Sequence, residues 1–252
     1  MPKIEPAVER VLTALVGGLR DLNISFCVVG ALVHELLLDD PLSTRTKDAG
    51  VVVMVKDLAA FDAVKTGLGQ KGFRPGKVPH RLEHDDGLVD ILPYSKELVP
   101  AGILELEPER PLNMAGFEHV ARAAIEIKLD SGLVVPVIPL PLYALLKLVA
   151  YSDRAFEKDV VAVEHVLRHY QEADDRRWGL EHKESLVDVD NATAYLLELD
   201  GKTFLGDELK AALLPVFAQL ADDEERDDDD DGDDWRASRG RLFLWYEKGL
   251  GL

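Results

Sequence analysis

The chain has 252 residues, enough for one large domain or two modest ones, each with its own apolar core. Its composition, 47% hydrophobic and 30% charged, is typical of a globular protein, and no apolar run is long enough to predict a membrane span. The net charge of −18 opposes attraction to nucleic-acid phosphates, so an RNA substrate would need a local basic patch. The first residues do not form a secretory signal, and we expect a cytoplasmic protein.

Helical and strand patterns alternate in the first half of the chain. Apolar residues recur at helical spacing over residues 5–20. Short apolar runs at 24–30 and 49–55 predict two buried strands. A helix is predicted after the second of these strands, with Asp57 as its N-cap.

Two hairpins, which turn near Asp86 and near Ser131, follow before the pattern becomes helical nearly throughout. We therefore predict an α+β fold. An α/β domain with a mixed sheet flanked by helices (1–140) is followed by a helical domain (141–252). The segment 222–234 contains eleven acidic residues and one arginine, and we expect it to be a disordered, solvated loop.

Two aspartates are predicted to lie in strands with apolar neighbours. Asp48 precedes the run of valines, and Asp90 lies in the second strand of the first hairpin. An ionised carboxylate in such a place is costly unless it is paired or binds a cation, and Mg²⁺ prefers oxygen ligands. Gly30, at the end of the first strand, would let a phosphate approach the backbone.

The same aspartates also have simpler interpretations. Asp48 could cap its strand or pair with Arg45 or Lys47. Asp90 could pair with Arg81 on the same hairpin. Spacing alone leaves these roles and the metal-binding role open.

In the second half, Lys147 lies in an otherwise apolar helical stretch, where its amine needs an anionic partner. Lys158 and Asp159 follow about three helical turns later, so they would lie near the same face of a continuous helix. The alternative is a lysine at the edge of the core that extends to solvent, together with a surface salt bridge.

In their order and spacing, four segments resemble the nucleotidyltransferase superfamily with the DNA polymerase β-like fold, and in particular its AbiEii-type, toxin-like members. The segments are VVGALVHELL, RTKDAGVVVMV, LVDILPY and LYALLKLVAYSDRAFEKD, and the resemblance covers roughly residues 20–170. It implies a nucleotidyltransferase-like first domain and assigns roles to individual residues. The implied catalytic residues are Asp48, Asp90, Lys147 and Asp159. The implied Mg²⁺ ligands are Asp48 and Asp90. The implied nucleotide-binding residues are Gly30, Ala31, Arg45, Lys147, Arg154 and Lys158.

Two positions depart from the family pattern. Ala31 stands where the family commonly has serine or a second glycine, which removes a hydroxyl but leaves the backbone amides. Gly50 occupies the second place of the Asp-x-Asp pair, so the carboxylate best placed to bridge two ions is missing. We expect Gly50→Asp to raise Mg²⁺-dependent nucleotide affinity.

The resemblance implies a protein that binds a nucleoside triphosphate with Mg²⁺ and transfers a nucleotidyl group to tRNA or to a protein acceptor. It also implies a toxin with a cognate antitoxin. Gly50 favours the alternative of a catalytically inactive relative that acts as a protein-binding module. A third interpretation, an acidic structural or chaperone-like protein, rests only on the acidic segment.

Overall fold

The computed structural model describes residues 4–38, 45–107, 110–170, 176, 192–222 and 239–252. The chain divides into two compact units, Met1–Pro139 and Leu140–Leu252, and the domain boundary predicted after residue 140 lies next to this division. The first unit combines helices and strands, and the described part of the second is helical, so the predicted α+β fold class is confirmed. Beyond Asp222, the acidic segment predicted to be a disordered loop lies outside the described residues.

The first unit contains all of the described strands. Its elements are, in chain order, α1 (Pro6–Asp21), β1 (Phe26–Val29), α2 (Ala31–Leu37), β2 (Asp48–Met54), α3 (Leu58–Gly69), β3 (Arg74–Pro75), β4 (Arg81–His84), β5 (Gly87–Tyr94), β6 (Ile103–Leu104), β7 (Leu112–Asn113), α4 (Val120–Ala123), β8 (Ile125–Lys128) and β9 (Val134–Val137). A 3-10 turn precedes α4, and β6 and β7 pair in a small separate sheet.

The main sheet has seven strands in the order β3-β4-β5-β2-β1-β9-β8. β2 is parallel to β5, and β1 is parallel to β9, whereas the other neighbours are antiparallel. The sheet is therefore mixed, as predicted. Consecutive residues Val51, Val52 and Val53 are all fully buried, which means that both faces of the central strand are covered.

Local sequence signals account for the helices that flank this sheet. α1 buries Val8, Leu12 and Leu15 on one face, which confirms the predicted amphipathic helix. α3 begins at the predicted N-cap, where Asp57 Oδ1 accepts a hydrogen bond from the backbone N–H of Ala60 at 2.7 Å. Capping and periodicity are local properties, so the sequence alone predicted both elements.

The described part of the second unit consists of helices and one 3-10 turn. The helices are α5 (Leu140–Arg154), α6 (Glu157–His169), α7 (Ala192–Gly201), α8 (Asp207–Asp222) and α9 (Arg239–Leu250). α5 packs against α6, α7 and α8, so it is buried nearly all round. None of the helices in the described ranges is long and apolar enough to cross a membrane.

Candidate functional site

Two neighbouring strands bring the predicted metal ligands to the same face of the main sheet. The parallel register of β2 and β5 pairs Asp48 with Leu88 and Gly50 with Asp90. Because side chains alternate across a strand, Asp48, Gly50 and Asp90 all belong to one face. Asp90 thus lies beside Gly50 and is the diagonal neighbour of Asp48.

Both carboxylates converge on the guanidinium of Arg81. Arg81 Nε and Nη2 donate to the two oxygens of Asp90, each at 2.7 Å, and Nη2 lies 3.6 Å from Asp48 Oδ2. The hairpin register explains the contact between Arg81 and Asp90, since it sets these two residues directly opposite each other. These hydrogen bonds raise the pKa of Arg81. The predicted pairing of Asp90 with Arg81 is confirmed, and we call Asp48, Arg81 and Asp90 the strand cluster.

The strand cluster is accessible to solvent. The side chains of Asp48, Arg81 and Asp90 are 41%, 33% and 27% exposed. Arg81 also lines a cavity of about 640 Å³, whose other walls come from α3 and the connection between β3 and β4, including Lys65 and Lys77. Because the two carboxylates are partly exposed, a dissolved ion can reach them without unfolding of the sheet.

Close packing explains why residue 50 is glycine. A Cβ atom built on Gly50 would lie 2.9 Å from the backbone oxygen of Val29 on the neighbouring strand β1. The obstacle is backbone, so no side-chain rotation can relieve it. The second carboxylate of an Asp-x-Asp pair would require β1 and β2 to move apart.

Sequence reasoning did not assign a role to two residues near Asp48. Thr46 Oγ1 donates to Asp48 Oδ1 at 2.7 Å, and the backbone N–H of Thr46 donates to Glu35 Oε1. The spacing of Thr46, two residues before a strand aspartate, could have indicated the first contact. Glu35 gave no such signal, because only the fold brings α2 to this segment. Arg45 is exposed, and its charge acts on the carboxyl of Glu35.

Gly30 and Ala31 form the turn from β1 into α2. Gly30 has φ +75° and ψ −160°, a conformation that residues with a Cβ rarely adopt, so the glycine is required by the turn. Ala31 is exposed at the first position of the helix. Their implied contact with phosphate stays a prediction.

In the second unit, two cations share one buried carboxylate. Lys147 Nζ donates to Asp159 Oδ1 at 2.8 Å, and Arg154 Nε and Nη2 donate to the two oxygens of Asp159 at 2.7 and 2.8 Å. The Asp159 side chain is fully buried, and that of Lys147 is 11% exposed. We call Lys147, Arg154 and Asp159 the helix cluster. The anionic partner predicted for Lys147 is therefore Asp159.

Burial acts on both members of this pair. Burial lowers the pKa of the Lys147 ammonium, although the charge of Asp159 opposes the shift. Burial also disfavours the Asp159 carboxylate, but hydrogen bonds from Arg154 and the charge of Lys147 hold its pKa below the ordinary value. Lys158 is not part of the cluster, since it is exposed and its Nζ lies 5.5 Å from the ring centre of Phe156.

A break between α5 and α6 makes the helix cluster possible. Ala155 has φ +48°, and Phe156 is extended, so the chain reverses its course before Asp159. The predicted juxtaposition of Lys147 and Asp159 assumed a continuous helix. The two residues do meet, but because two separate helices pack together.

No family model matches the chain, and no curated protein matches it. Solved structures that are similar to it include an antigenic nucleotidyltransferase-like protein from Paracoccidioides brasiliensis, which is 16% identical over 89% of this chain and 94% of that one, with a TM-score of 0.47. The antibiotic-resistance factor ANT(2'')-Ia is 11% identical over 86% of this chain and 95% of that one, with a TM-score of 0.38. The CdnE cyclic dinucleotide synthase of Elizabethkingia meningoseptica is 11% identical over 98% of this chain and 93% of that one, with a TM-score of 0.32. All three TM-scores are below 0.5, so these likenesses carry no conclusion about family or activity.

Proposed function

We propose that the protein binds a nucleoside triphosphate together with one Mg²⁺ ion held by Asp48 and Asp90. The observation that carries this proposal is the convergence of the two carboxylates on a single cationic group. The donor set fits one hard cation, since both groups offer oxygen atoms and a negative charge. It does not fit a two-ion arrangement, because Gly50 leaves no room for a bridging carboxylate and the described residues contain no group of three or more metal-ligating side chains.

The residues of the strand cluster have separate tasks in this proposal. Asp48 and Asp90 hold the ion, which would neutralise negative charge on the phosphates during transfer. Arg81 has to give up its contact with Asp90 when the ion binds. Because the pair is partly exposed, opening it costs less than opening a buried pair, and the released guanidinium is a suitable donor for phosphate oxygens.

The helix cluster is proposed on its own charge as a contact for phosphate. It has two cations for one carboxylate, so it carries a net positive charge that favours phosphate. Lys158 adds a further exposed cation. The family resemblance of the segment 142–159 supports this assignment for Lys147, Arg154 and Lys158, and Asp159 holds the first two of these side chains.

The proposed reaction is the transfer of a nucleotidyl group to an RNA, such as tRNA, or to a protein acceptor. The AbiEii-like segments further suggest a toxin that is controlled by a cognate antitoxin. With a net charge of −18, the protein would attract an RNA acceptor only through a local basic patch.

Calorimetric titration with each of the four nucleoside triphosphates, with Mg²⁺ and with chelator, tests the proposal. We expect Mg²⁺-dependent binding of at least one nucleotide, weakened about tenfold or more in Asp48→Asn and Asp90→Asn because each loses a charged ligand. Asp21→Asn is the matched control, since Asp21 is a surface carboxylate paired with Lys71. Equal binding with Mg²⁺ and with chelator would contradict the metal site.

A second candidate function is that of a catalytically inactive relative that binds a partner protein. Two observations favour it: the packing against Gly50 excludes the second carboxylate, and Arg81 already neutralises Asp90. A transfer assay with labelled nucleotide and an RNA or protein acceptor separates the candidates. Nucleotide binding without transfer, or no binding at all, would favour the inactive relative.

A further inference from the structure

The two oxygens of the Asp48 carboxylate face different partners. Thr46 Oγ1 donates to Oδ1 at 2.7 Å, whereas Oδ2 lies 3.6 Å from Arg81 Nη2. The Asp48 side chain is 41% exposed, so without the first contact it would be free to change rotamer. One oxygen is therefore held by Thr46, and the other faces the guanidinium of Arg81.

Thr46 is itself held by the interior of the first unit. Its backbone N–H donates to Oε1 of Glu35, which lies on α2 and is 8% exposed. The contact joins α2 to the segment that enters β2. A continuous path of hydrogen bonds thus runs from a buried carboxyl group, through Thr46, to Asp48.

Fold stability alone gives no reason for a glutamate at position 35. A buried carboxyl group is costly, and Oε2 of Glu35 is buried without a hydrogen-bond partner among the described residues. Burial raises the pKa of this carboxyl, while the N–H of Thr46 and the charge of Arg45 oppose the shift. Leu32, Val33 and Leu36 of the same helix are buried apolar residues, whereas Glu35 carries the carboxyl group that accepts the N–H of Thr46.

We propose that Glu35 and Thr46 are positioning residues that fix the Asp48 carboxylate so that Oδ2 is directed at the bound cation. The inference rests on the proposed function, in which Asp48 is a metal ligand, and deepens it by naming what orients that ligand. Hydrogen bonds that orient a metal ligand typically change metal affinity by about 10–100-fold.

Mn²⁺ binding, measured by electron paramagnetic resonance, tests this proposal without depending on catalysis. We expect Thr46→Val to weaken Mn²⁺ binding by about tenfold or more, since valine keeps the shape and loses the hydroxyl. Thr46→Ser restores the hydroxyl and should bind as the native protein does. Glu35→Ala should weaken Mn²⁺ binding similarly. Glu35→Gln should bind Mn²⁺ as the native protein does, because it keeps an acceptor oxygen for the N–H of Thr46. Thr13→Val is the matched control, because Thr13 is an exposed threonine that bonds only within α1.

A second measurement reports on Asp48 with no metal present. Three-bond couplings in aspartate-labelled protein give the side-chain rotamer populations of Asp48. One dominant rotamer is expected in the native protein, Thr46→Ser and Glu35→Gln. In Thr46→Val and Glu35→Ala, the Asp48 side chain is expected to average between rotamers while the global fold is unchanged.

The outcomes separate failure of the inference from failure of the proposed function. If Asp48→Asn abolishes Mn²⁺ binding but Thr46→Val binds like the native protein, the metal site stands and the inference is overturned. If the native protein binds no Mn²⁺, the proposed metal site fails, and the inference falls with it as far as it concerns a cation. Unchanged rotamer populations in Thr46→Val would overturn the positioning role in either case.

Discussion

The strand cluster and the helix cluster use the same chemistry in different surroundings. In each cluster, an arginine donates two hydrogen bonds to the two oxygens of an aspartate, with N···O distances of 2.7–2.8 Å. Asp90 is 27% exposed, whereas Asp159 is fully buried and also binds Lys147. Water can replace the partner of Asp90 but has no access to Asp159. Burial therefore decides whether an ion pair can exchange its cation or is fixed in the structure.

The largest expected effect comes from breaking the buried pair. Asp159→Asn leaves Lys147 and Arg154 without their shared counter-charge, so we expect the free energy of unfolding to fall by about 3–5 kcal/mol. Urea denaturation measures the loss. Asp90→Asn is the matched change in the strand cluster and should cost less than about 1 kcal/mol. Similar losses in the two variants would show that burial does not distinguish the clusters.

Glu198 is a buried carboxyl group with no bonded cation among the described residues, in contrast to Asp159. Glu198 on α7 is 2% exposed, and burial raises its pKa to about 7, against the opposing charge of Lys202. Its carboxyl occupies the space that a side chain at Gly249 on α9 would need. We therefore expect Glu198 to be protonated in acidic solution and to ionise near neutral pH.

The sign of the pH dependence follows from the raised pKa. The contribution of Glu198 to stability is fully present below the ordinary glutamate pKa of 4.5 and is lost as pH rises through about 7. The loss has an upper limit of about 3 kcal/mol. Urea midpoints between pH 4 and pH 8 measure it, and Glu198→Gln should remove this part of the dependence. An identical pH profile in Glu198→Gln would contradict the assignment.

The close packing at Gly50 predicts that a substitution there has an intermediate effect on stability. Gly50→Ala should lower the free energy of unfolding by about 1–3 kcal/mol, because the added Cβ overlaps the backbone oxygen of Val29. Gly87→Ala on β5 is the matched control, since its Cβ would meet no atom closer than 3.6 Å. Gly50→Asp should be destabilised in the same way, so the structure argues against the sequence-based expectation that it restores a metal ligand. Tighter Mg²⁺ binding by a stable Gly50→Asp protein would contradict this packing argument.

The smallest expected effect on stability comes from opening the strand cluster. Arg81→Gln should change the free energy of unfolding by less than about 1 kcal/mol, because the pair with Asp90 is partly exposed. Mg²⁺ should bind more tightly to this variant, since the competing cation is gone. Arg74→Gln, which breaks an exposed pair with Asp85 on the same hairpin, controls for the loss of charge. A stability loss as large as that of Asp159→Asn would mean that the strand cluster is a structural ion pair.

Local sequence signals predicted much of the secondary structure. The amphipathic pattern of α1, the Asp57 cap and the turn near Asp86 depend only on residues close in the chain, and all three are confirmed. The break before α6 has no reliable local signal in the sequence, because it depends on a non-glycine residue with positive φ, here Ala155.

The sequence by itself determined most of the candidate site residues, since an aspartate in a strand or a lysine in an apolar helix stands out against its neighbours. Only the tertiary structure decided which of these residues meet. The register between β2 and β5 sets Asp90 beside Gly50, and helix packing joins Glu35 to Thr46. Register and packing depend on contacts between residues far apart in the chain, and no local pattern encodes them.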